Sequence, residues 1–134
     1  MILDTDVLIW FLRGNEKATN AVLESMPFSI SVVTYMELLQ GMRNKQEMES
    51  MKKAFQSMEV NIIPINEDIS LQAAHIVEEY ALSHSMEMAD ALIASTCLST
   101  NEILFTANDK HYRPLNVNFP SNTYSTTGAP LLRE

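Results

Sequence analysis

The sequence predicts an α/β fold with three layers, α/β/α, in which helices cover both faces of a short central parallel sheet. Short apolar runs typical of strands alternate with amphipathic helical patterns along the chain, and this alternation favours a parallel sheet. The 134 residues are the length of a single domain. A content of 46% hydrophobic and 19% charged residues is that of a folded globular protein.

Strands are predicted at short apolar or alternating runs, and helices where apolar residues recur every three or four positions. In chain order the predicted elements are strand 2–3, helix 7–14, helix 15–26, strand 28–32, helix 34–41, helix 47–58, strand 60–65, helix 67–82, helix 87–99, strand 103–105 and a candidate final strand 117–119. Pro27 ends the second helix. Pro64 ends the third strand or places it at a sheet edge. The helix at 87–99 is uniformly apolar and therefore predicted to be deeply buried.

We expect one domain over residues 1–119 and a tail over residues 120–134, which is rich in Ser, Thr, Asn and Pro. The single cysteine, Cys97, lies in an apolar run, so we expect it to pack in the core of a protein kept in a reducing compartment. No secretory signal and no run long enough to span a membrane is apparent. These features predict a cytoplasmic protein without membrane contact.

The net charge of -8 argues against tight, non-specific binding to nucleic acid. Such binding comes mainly from basic side chains that neutralise phosphates and release counterions. A function on nucleic acid would therefore have to be local, with a divalent cation or a basic partner protein supplying the positive charge.

Two aspartates follow predicted strands directly. Asp4 comes after the first strand and Asp109 after the strand at 103–105. The carboxyl ends of parallel strands form the crevice where α/β proteins bind ligands, so both side chains are expected to face it. The alternative for each is an ordinary helix N-cap, a position that Asp favours.

Two further carboxylates lie on predicted helices. Glu37 completes a capping box with Thr34, and this capping role alone is enough to explain a glutamate at that position. A glutamate in the first turn of a helix also points toward the end of the preceding strand, which leaves a role in the crevice open. Asp90 lies on the same helical face as Ile93 and Cys97, so its carboxylate projects from an apolar face. A buried carboxylate needs a cation, a metal ion or several hydrogen-bond donors, and backbone N–H groups early in a helix can supply part of that.

Carboxylates that converge at one sheet edge repel one another unless a cation lies among them. Oxygen ligands of this kind suit Mg²⁺ or Mn²⁺ and suit Zn²⁺ poorly. Such an ion can activate a water and stabilise the leaving oxygen in phosphodiester hydrolysis. The sequence has no P-loop, no G-x-G-x-x-G and no G-x-S-x-G, which removes the nucleotide-cofactor and serine-hydrolase alternatives.

Four motifs follow one another along the chain, LDTDVLI at 3–9, TYMELLQG at 34–41, ADALIAST at 89–96 and TANDKHY at 106–112. In this order and spacing the set resembles the PIN-domain ribonucleases, in particular the VapC-type toxins of toxin–antitoxin pairs, and the resemblance covers residues 1 to about 119. It implies a PIN-like α/β/α fold, Mg²⁺ or Mn²⁺ dependence, an RNA substrate hydrolysed by an endoribonuclease, a homodimer and a cognate antitoxin that blocks the acidic site.

Carried over by position, the resemblance implies direct metal ligands at Asp4 and Asp90, a ligand or water-positioning group at Glu37 and a fourth acid at Asp109. The commonest form of the last motif has an acid three residues after the asparagine, where this chain has His111. Either Asp109 takes over that role or His111 completes the site.

The resemblance also implies supporting residues. Thr5 and Thr106 are the hydroxyl residues expected to support the site. Asn108 is expected to orient a metal-binding side chain without contacting the metal itself. Lys110 and Arg113, beside the proposed site, are candidates for contacts with RNA phosphates, with plain solvation as the alternative.

Two other functions remain open from the sequence. One is a PIN-like module that has lost catalysis and binds RNA or a protein without cutting. The other is a phosphatase of the haloacid-dehalogenase type, because Asp4 and Asp6 form a D-x-D pair after the first strand. Leu8 stands where that motif needs Thr or Val, and the later acidic pair is absent.

Overall fold

A computed structural model describes residues 1–120, and the tail predicted at 120–134 lies almost entirely outside the described residues. The strands are β1 (Ile2–Leu3), β2 (Ser29–Ser31), β3 (Asn61–Ile63) and β4 (Leu104–Phe105). The helices are α1 (Thr5–Leu12), α2 (Glu16–Glu24), α3 (Val32–Gln40), α4 (Lys45–Ser57), α5 (Glu67–His84), α6 (Met88–Thr100) and α7 (Asp109–Tyr112).

The four strands form one parallel sheet in the order β3-β2-β1-β4, which confirms the predicted central parallel sheet. Ile2 pairs with both Ser29 and Leu104, so β1 lies in the middle of the sheet. β3 is an edge strand that ends before Pro64, and this agrees with both expectations for that proline.

Successive residues of the short strands point to opposite faces of the sheet and build two separate cores. Ile2 and Leu104 pack with α5 and α6 on one face, whereas Leu3 and Phe105 pack with α1, α2 and α4 on the other. Helices therefore cover both faces, and the three-layer α/β/α prediction is confirmed. Cys97 is buried in the first core, as expected.

The order of the strands decides where a ligand can bind. From β1 the chain moves outward through β2 to β3, and it then returns to add β4 on the other side of β1. A crevice opens beyond the carboxyl ends of the strands at such a reversal point. In this fold the reversal lies between β1 and β4, and the residues that follow them are Asp4 and Thr106.

The predicted capping box of the third helix is wrong. The strand is shorter than residues 28–32, and α3 begins at Val32 with Ser31 as its N-cap. The Ser31 hydroxyl accepts a hydrogen bond from the Val33 N–H at 3.1 Å. Thr34 lies inside the helix, and Glu37 is too far along α3 to cap its first turn.

Two smaller differences concern the end of the described chain. Residues 117–119 form no strand, although the Leu104 N–H donates to the Asn118 carbonyl at 2.8 Å, as in strand pairing. The short helix α7 was absent from the sequence prediction, because four residues carry too little periodicity to reveal it. Within residues 1–120, no helix has the length and apolar character needed to cross a bilayer.

The two assignments of the α3 cap predict different stabilities. Ser31→Ala removes the observed cap and should lower the free energy of unfolding by about 1 kcal/mol. Glu37→Gln should change it little, because the Glu37 carboxylate accepts from Thr5 and a glutamine carbonyl can do the same. Urea unfolding followed by circular dichroism measures both. A larger loss of unfolding free energy in Glu37→Gln than in Ser31→Ala would support the capping box predicted from the sequence.

Candidate active site

Asp4 is held at the junction of β1 and β4. Its N–H donates to the Phe105 carbonyl at 2.8 Å, which continues the pairing of the two strands. One carboxylate oxygen accepts from the Thr5 N–H at 2.8 Å and thereby caps α1, so the N-cap interpretation of Asp4 is confirmed. The other oxygen accepts from the Thr106 hydroxyl at 2.8 Å. Asp4 is buried, with 6% of its surface exposed.

Asp6 lies beside Asp4 and reaches the same strand end. Its carboxylate accepts from the Val7 N–H at 2.7 Å and from the Ala107 N–H at 3.2 Å. The Thr106 hydroxyl that bonds Asp4 is also 3.5 Å from Asp6 Oδ2. The carboxylates of Asp4 and Asp6 therefore converge on one hydroxyl group.

Asp90 enters from α6, and its carboxylate is held by two ring side chains. His111 Nε2 is 2.9 Å from Asp90 Oδ2, and the Tyr112 hydroxyl donates to Asp90 Oδ1 at 3.3 Å. Tyr112 also lies near enough to Asp4 to lower the pKa of that acid slightly, so it lies beside both carboxylates. Ile93 and Cys97 of the same helix are buried, as the apolar-face argument predicted.

The three acids influence one another electrostatically. Burial, followed by the charge of Asp6, raises the pKa of Asp4 from its ordinary value of 3.8 to about 7, against the opposing effect of the hydrogen bonds from Thr106, Thr5 and Tyr112. Burial is also the main cause that raises the pKa of Asp6, to which the charge of Asp90 adds. Within residues 1–120, neither Asp4 nor Asp6 forms an ion pair with a basic group.

Glu37 is connected to this group through Thr5. The Thr5 hydroxyl donates to Glu37 Oε1 at 2.8 Å and also hydrogen-bonds the buried Thr34 hydroxyl at 3.0 Å. Glu37 itself is exposed, so its carboxylate can reach a ligand or a water from the solvent side. Thr5 and Thr106 thus hydrogen-bond Glu37 and Asp4, respectively, and their supporting role at a catalytic site stays a prediction.

Asp109 points to a different partner. It is the first residue of α7, with Asn108 in the N-cap position, so the N-cap alternative for Asp109 is wrong. Its carboxylate is 1% exposed and accepts from Arg113 at 2.7 Å. Within residues 1–120, no hydrogen bond joins it to Asp4, Asp6 or Asp90. Tyr112 thus lies beside Asp90 and near Asp4, whereas Asp109 forms an ion pair with Arg113.

The remaining predicted site residues lie in the segment from Thr106 to Arg113. The Asn108 N–H donates to the Thr106 hydroxyl at 3.0 Å and so holds the group that bonds Asp4. Lys110 is exposed, whereas the Arg113 guanidinium is shared between Asp109 and the ring of Phe119, at 6.0 Å from its centroid.

The resemblance to the PIN-domain ribonucleases assigns no role to Asp6 or Tyr112, and Asp6 enters the sequence analysis only through the D-x-D pair of the phosphatase alternative. For Asp6 the signal is its position two residues after Asp4, in the same strand-to-helix turn. Tyr112 is part of the last motif, but that its hydroxyl lies between two acids depends on α7. Burial, together with the charges of Asp4 and Asp90, raises the pKa of Tyr112 and keeps it a neutral donor.

The donor set fits a divalent cation that keeps part of its water shell. Carboxylate oxygens are the ligands that Mg²⁺ and Mn²⁺ prefer, and a cation would offset the mutual repulsion of the acids. In the part of the chain that the structure describes, no three Asp, Glu, His or Cys side chains are close enough to enclose an ion by themselves. Mg²⁺ commonly takes one or two protein carboxylates and several waters, and Asp4 with Asp6 or Asp90 suits that mode.

Comparison with known proteins agrees with this fold. The model of the PIN domain family matches residues 1–115. Ribonuclease VapC10 of Mycobacterium tuberculosis is 33% identical over 116 residues, which cover 84% of this chain and 85% of that protein. A toxin–antitoxin complex from Klebsiella pneumoniae contains a chain with a TM-score of 0.72 and 28% identity, over 86% of this chain and 92% of that one. VapBC2 from Rickettsia felis, solved with a DNA fragment from its promoter, has the same fold, with a TM-score of 0.72 at 22% identity over 89% of this chain and 96% of that one.

The raised pKa of Asp4 predicts how stability depends on pH. Between 3.8, the ordinary value, and about 7, the folded chain binds a proton at Asp4 that the unfolded chain has released. This contribution to stability is complete below the lower value and is lost as the pH rises through the upper one. The metal-free protein should therefore unfold at a lower temperature at pH 8 than at pH 5, as measured by calorimetry.

Asp4→Asn is the matched control, because an amide keeps an oxygen acceptor and carries no charge. Its unfolding temperature should fall less over the same pH range. Equal pH dependence in both proteins would show that Asp4 is not the group responsible.

Proposed function

We propose that this chain, which belongs to the PIN domain family and is of the VapC type, is a divalent-metal-dependent endoribonuclease. One observation carries the proposal. Asp4 lies buried at the reversal point of the sheet, next to Asp6 and near Tyr112, which hydrogen-bonds Asp90, and no basic group is paired to Asp4 within residues 1–120. An unpaired, buried carboxylate with acidic neighbours is unfavourable in a protein that has no cation to place there.

We assign the metal to Asp4 and Asp90, with Glu37 as a ligand or as the group that positions a water. Mg²⁺ or Mn²⁺, when bound, would activate a water and stabilise the charge on the leaving oxygen. The chain's own contribution is to fix the carboxylates. Thr106 and the Thr5 N–H hold both oxygens of Asp4. His111 and Tyr112 hold both oxygens of Asp90.

The substrate contacts are local, as the net charge of -8 requires. Lys110 is exposed on α7 next to His111, and we propose that it contacts an RNA phosphate. Arg113 is engaged with Asp109, although its side chain is 53% exposed, so a phosphate contact by Arg113 would be shared with that ion pair. Asn108 supports the loop that carries both.

We also propose a cognate antitoxin as protein partner. The solved complex from Klebsiella pneumoniae is described as a toxin–antitoxin complex and contains a chain of similar fold. A partner that presents arginine could form charge-assisted hydrogen bonds with the unpaired carboxylates of Asp4 and Asp6 and so exclude the metal. A purified partner that left RNA cleavage unaffected would contradict this proposal. A homodimer and a cytoplasmic location stay predictions from the resemblance and the sequence.

Family membership removes the phosphatase alternative and leaves one competitor, a PIN-like module that binds RNA without cutting it. Incubation of the purified protein with structured RNA and Mn²⁺, with and without EDTA, separates the two. Cleavage that the chelator stops supports the nuclease, whereas binding without cleavage supports the module.

Asp90→Asn should abolish RNA cleavage and leave the fold intact. The amide keeps an oxygen for the Tyr112 hydroxyl but loses the charge that a metal ligand needs. Asp68→Asn is a matched control, because Asp68 is an exposed aspartate in the first turn of α5. Gel assays on a 5′-labelled RNA measure cleavage, and circular dichroism checks the fold. Full cleavage by Asp90→Asn, or its loss in Asp68→Asn, would contradict the assignment.

A further inference from the structure

We propose that Asp6, and not Asp109, is the additional acid that completes the metal site beside Asp4 and Asp90. This inference rests on the proposed function and refines it, because it concerns which side chains of this chain hold the ion. It differs from the sequence-based expectation, in which Asp109 or His111 filled that place.

The position of Asp6 is the first argument. Its carboxylate and that of Asp4 both accept from the Thr106 hydroxyl, with oxygen–oxygen distances of 3.5 Å and 2.8 Å. The Ala107 N–H, at 3.2 Å, fixes Asp6 against the end of β4. Two carboxylates that meet at one hydroxyl lie close enough to share a hydrated ion.

The accessibility of Asp6 is the second argument. Asp6 is only partly buried, so an ion that keeps several waters can approach it, whereas Asp4 is almost completely enclosed. The carboxylates of Asp4 and Asp6 meet at the Thr106 hydroxyl, so a divalent cation placed beside them would offset the charge of both.

The partner of Asp109 is the third argument. Arg113, one turn further along the chain, contacts Asp109 at 2.7 Å and already neutralises it. The Arg113 guanidinium also lies over the Phe119 ring, and Asp109 is 1% exposed. To serve as a ligand, the enclosed Asp109 carboxylate would have to give up its ion pair with Arg113 and turn toward the crevice.

His111 takes the place that an acid has in the commonest form of the last motif. Its imidazole lies next to Asp90, with Nε2 at 2.9 Å from the Asp90 carboxylate. This side of the site therefore presents a nitrogen group that holds Asp90 in position. A further carboxylate is offered by another element, the first turn of α1, through Asp6.

Isothermal titration of the full chain with Mn²⁺, without RNA, tests the inference directly. Asp6→Asn should weaken Mn²⁺ binding by about tenfold or more, since even groups that only support a ligand cost that much in metal affinity. Asp109→Asn should leave the affinity within about twofold of wild type. Asparagine at position 6 keeps an oxygen acceptor for the Val7 and Ala107 N–H groups, so the turn should keep its shape.

A second measurement covers the case in which Asp6→Asn is less stable than wild type. The rise in unfolding temperature on addition of Mn²⁺ is compared for wild type, Asp6→Asn, Asp6→Ser and Asp109→Asn. Both position-6 variants should lose most of this rise, and Asp109→Asn should keep it. Loss of Mn²⁺ affinity in Asp109→Asn, or wild-type affinity in Asp6→Asn, overturns the inference.

Different results would refute the role of Asp6 and the proposed nuclease function. If wild type binds Mn²⁺ and cuts RNA while Asp6→Asn keeps full affinity, only the role of Asp6 is refuted. If wild type neither binds Mn²⁺ nor cuts RNA, the proposed nuclease function itself is refuted, and the assignment of Asp6 with it.

Discussion

The hydrogen bond from Thr106 to Asp4 joins the ends of β1 and β4 at the reversal point of the sheet. The site depends on this contact, because it fixes a carboxylate that burial makes costly to ionise. The parallel pairing of the two strands places both residues at the same edge. Asn108 then holds Thr106 from the following turn. The backbone thus places Asp4 where its charged form is unfavourable, and a nearby cation would stabilise that charged form.

The surroundings of this contact divide into groups that position and groups that can bind. Thr5 and Tyr112 are neutral donors that orient carboxylates. Asp6 and Glu37 are more open to solvent than Asp4 and can take part in ligand binding. His111 belongs to the first group in this structure, because its ring nitrogen is engaged with Asp90. A small acidic protein can therefore act on a polyanion, provided that the positive charge arrives as an ion at this one point.

The sheet, the two covered faces and most helices could be predicted from the sequence, because periodicity reports directly which side chains are buried. The positions of Asp4 and Asp90 in the fold could be predicted for the same reason, since one follows a buried strand and the other interrupts an apolar helical face. The start of α3 could not be predicted in this way. The local pattern at Thr34 satisfies a capping rule, but Ser31 at the end of β2 takes the cap because the strand ends earlier.

For a related reason, the sequence could not predict which way the acidic side chains point. Asp6 and Asp109 both lie in the first turn of a helix that follows a strand, and no local sequence pattern distinguishes them. Asp109 turns to Arg113 because α7 places the two residues one helical turn apart, and that helix left no periodic signal. Asp6 turns to the crevice because the Ala107 N–H, on a distant part of the chain, offers it a hydrogen bond.

The central claim is that the carboxylates beyond β1 and β4 hold a divalent cation. Anomalous diffraction at the manganese edge, from crystals of the full chain grown with Mn²⁺, tests it most directly. The account predicts an anomalous peak in the crevice, within coordination distance of carboxylate oxygens of Asp4 and Asp90, with Asp6 as the additional acid beside it. A crevice without a peak at saturating Mn²⁺, or a peak at Asp109 in its place, would contradict the account.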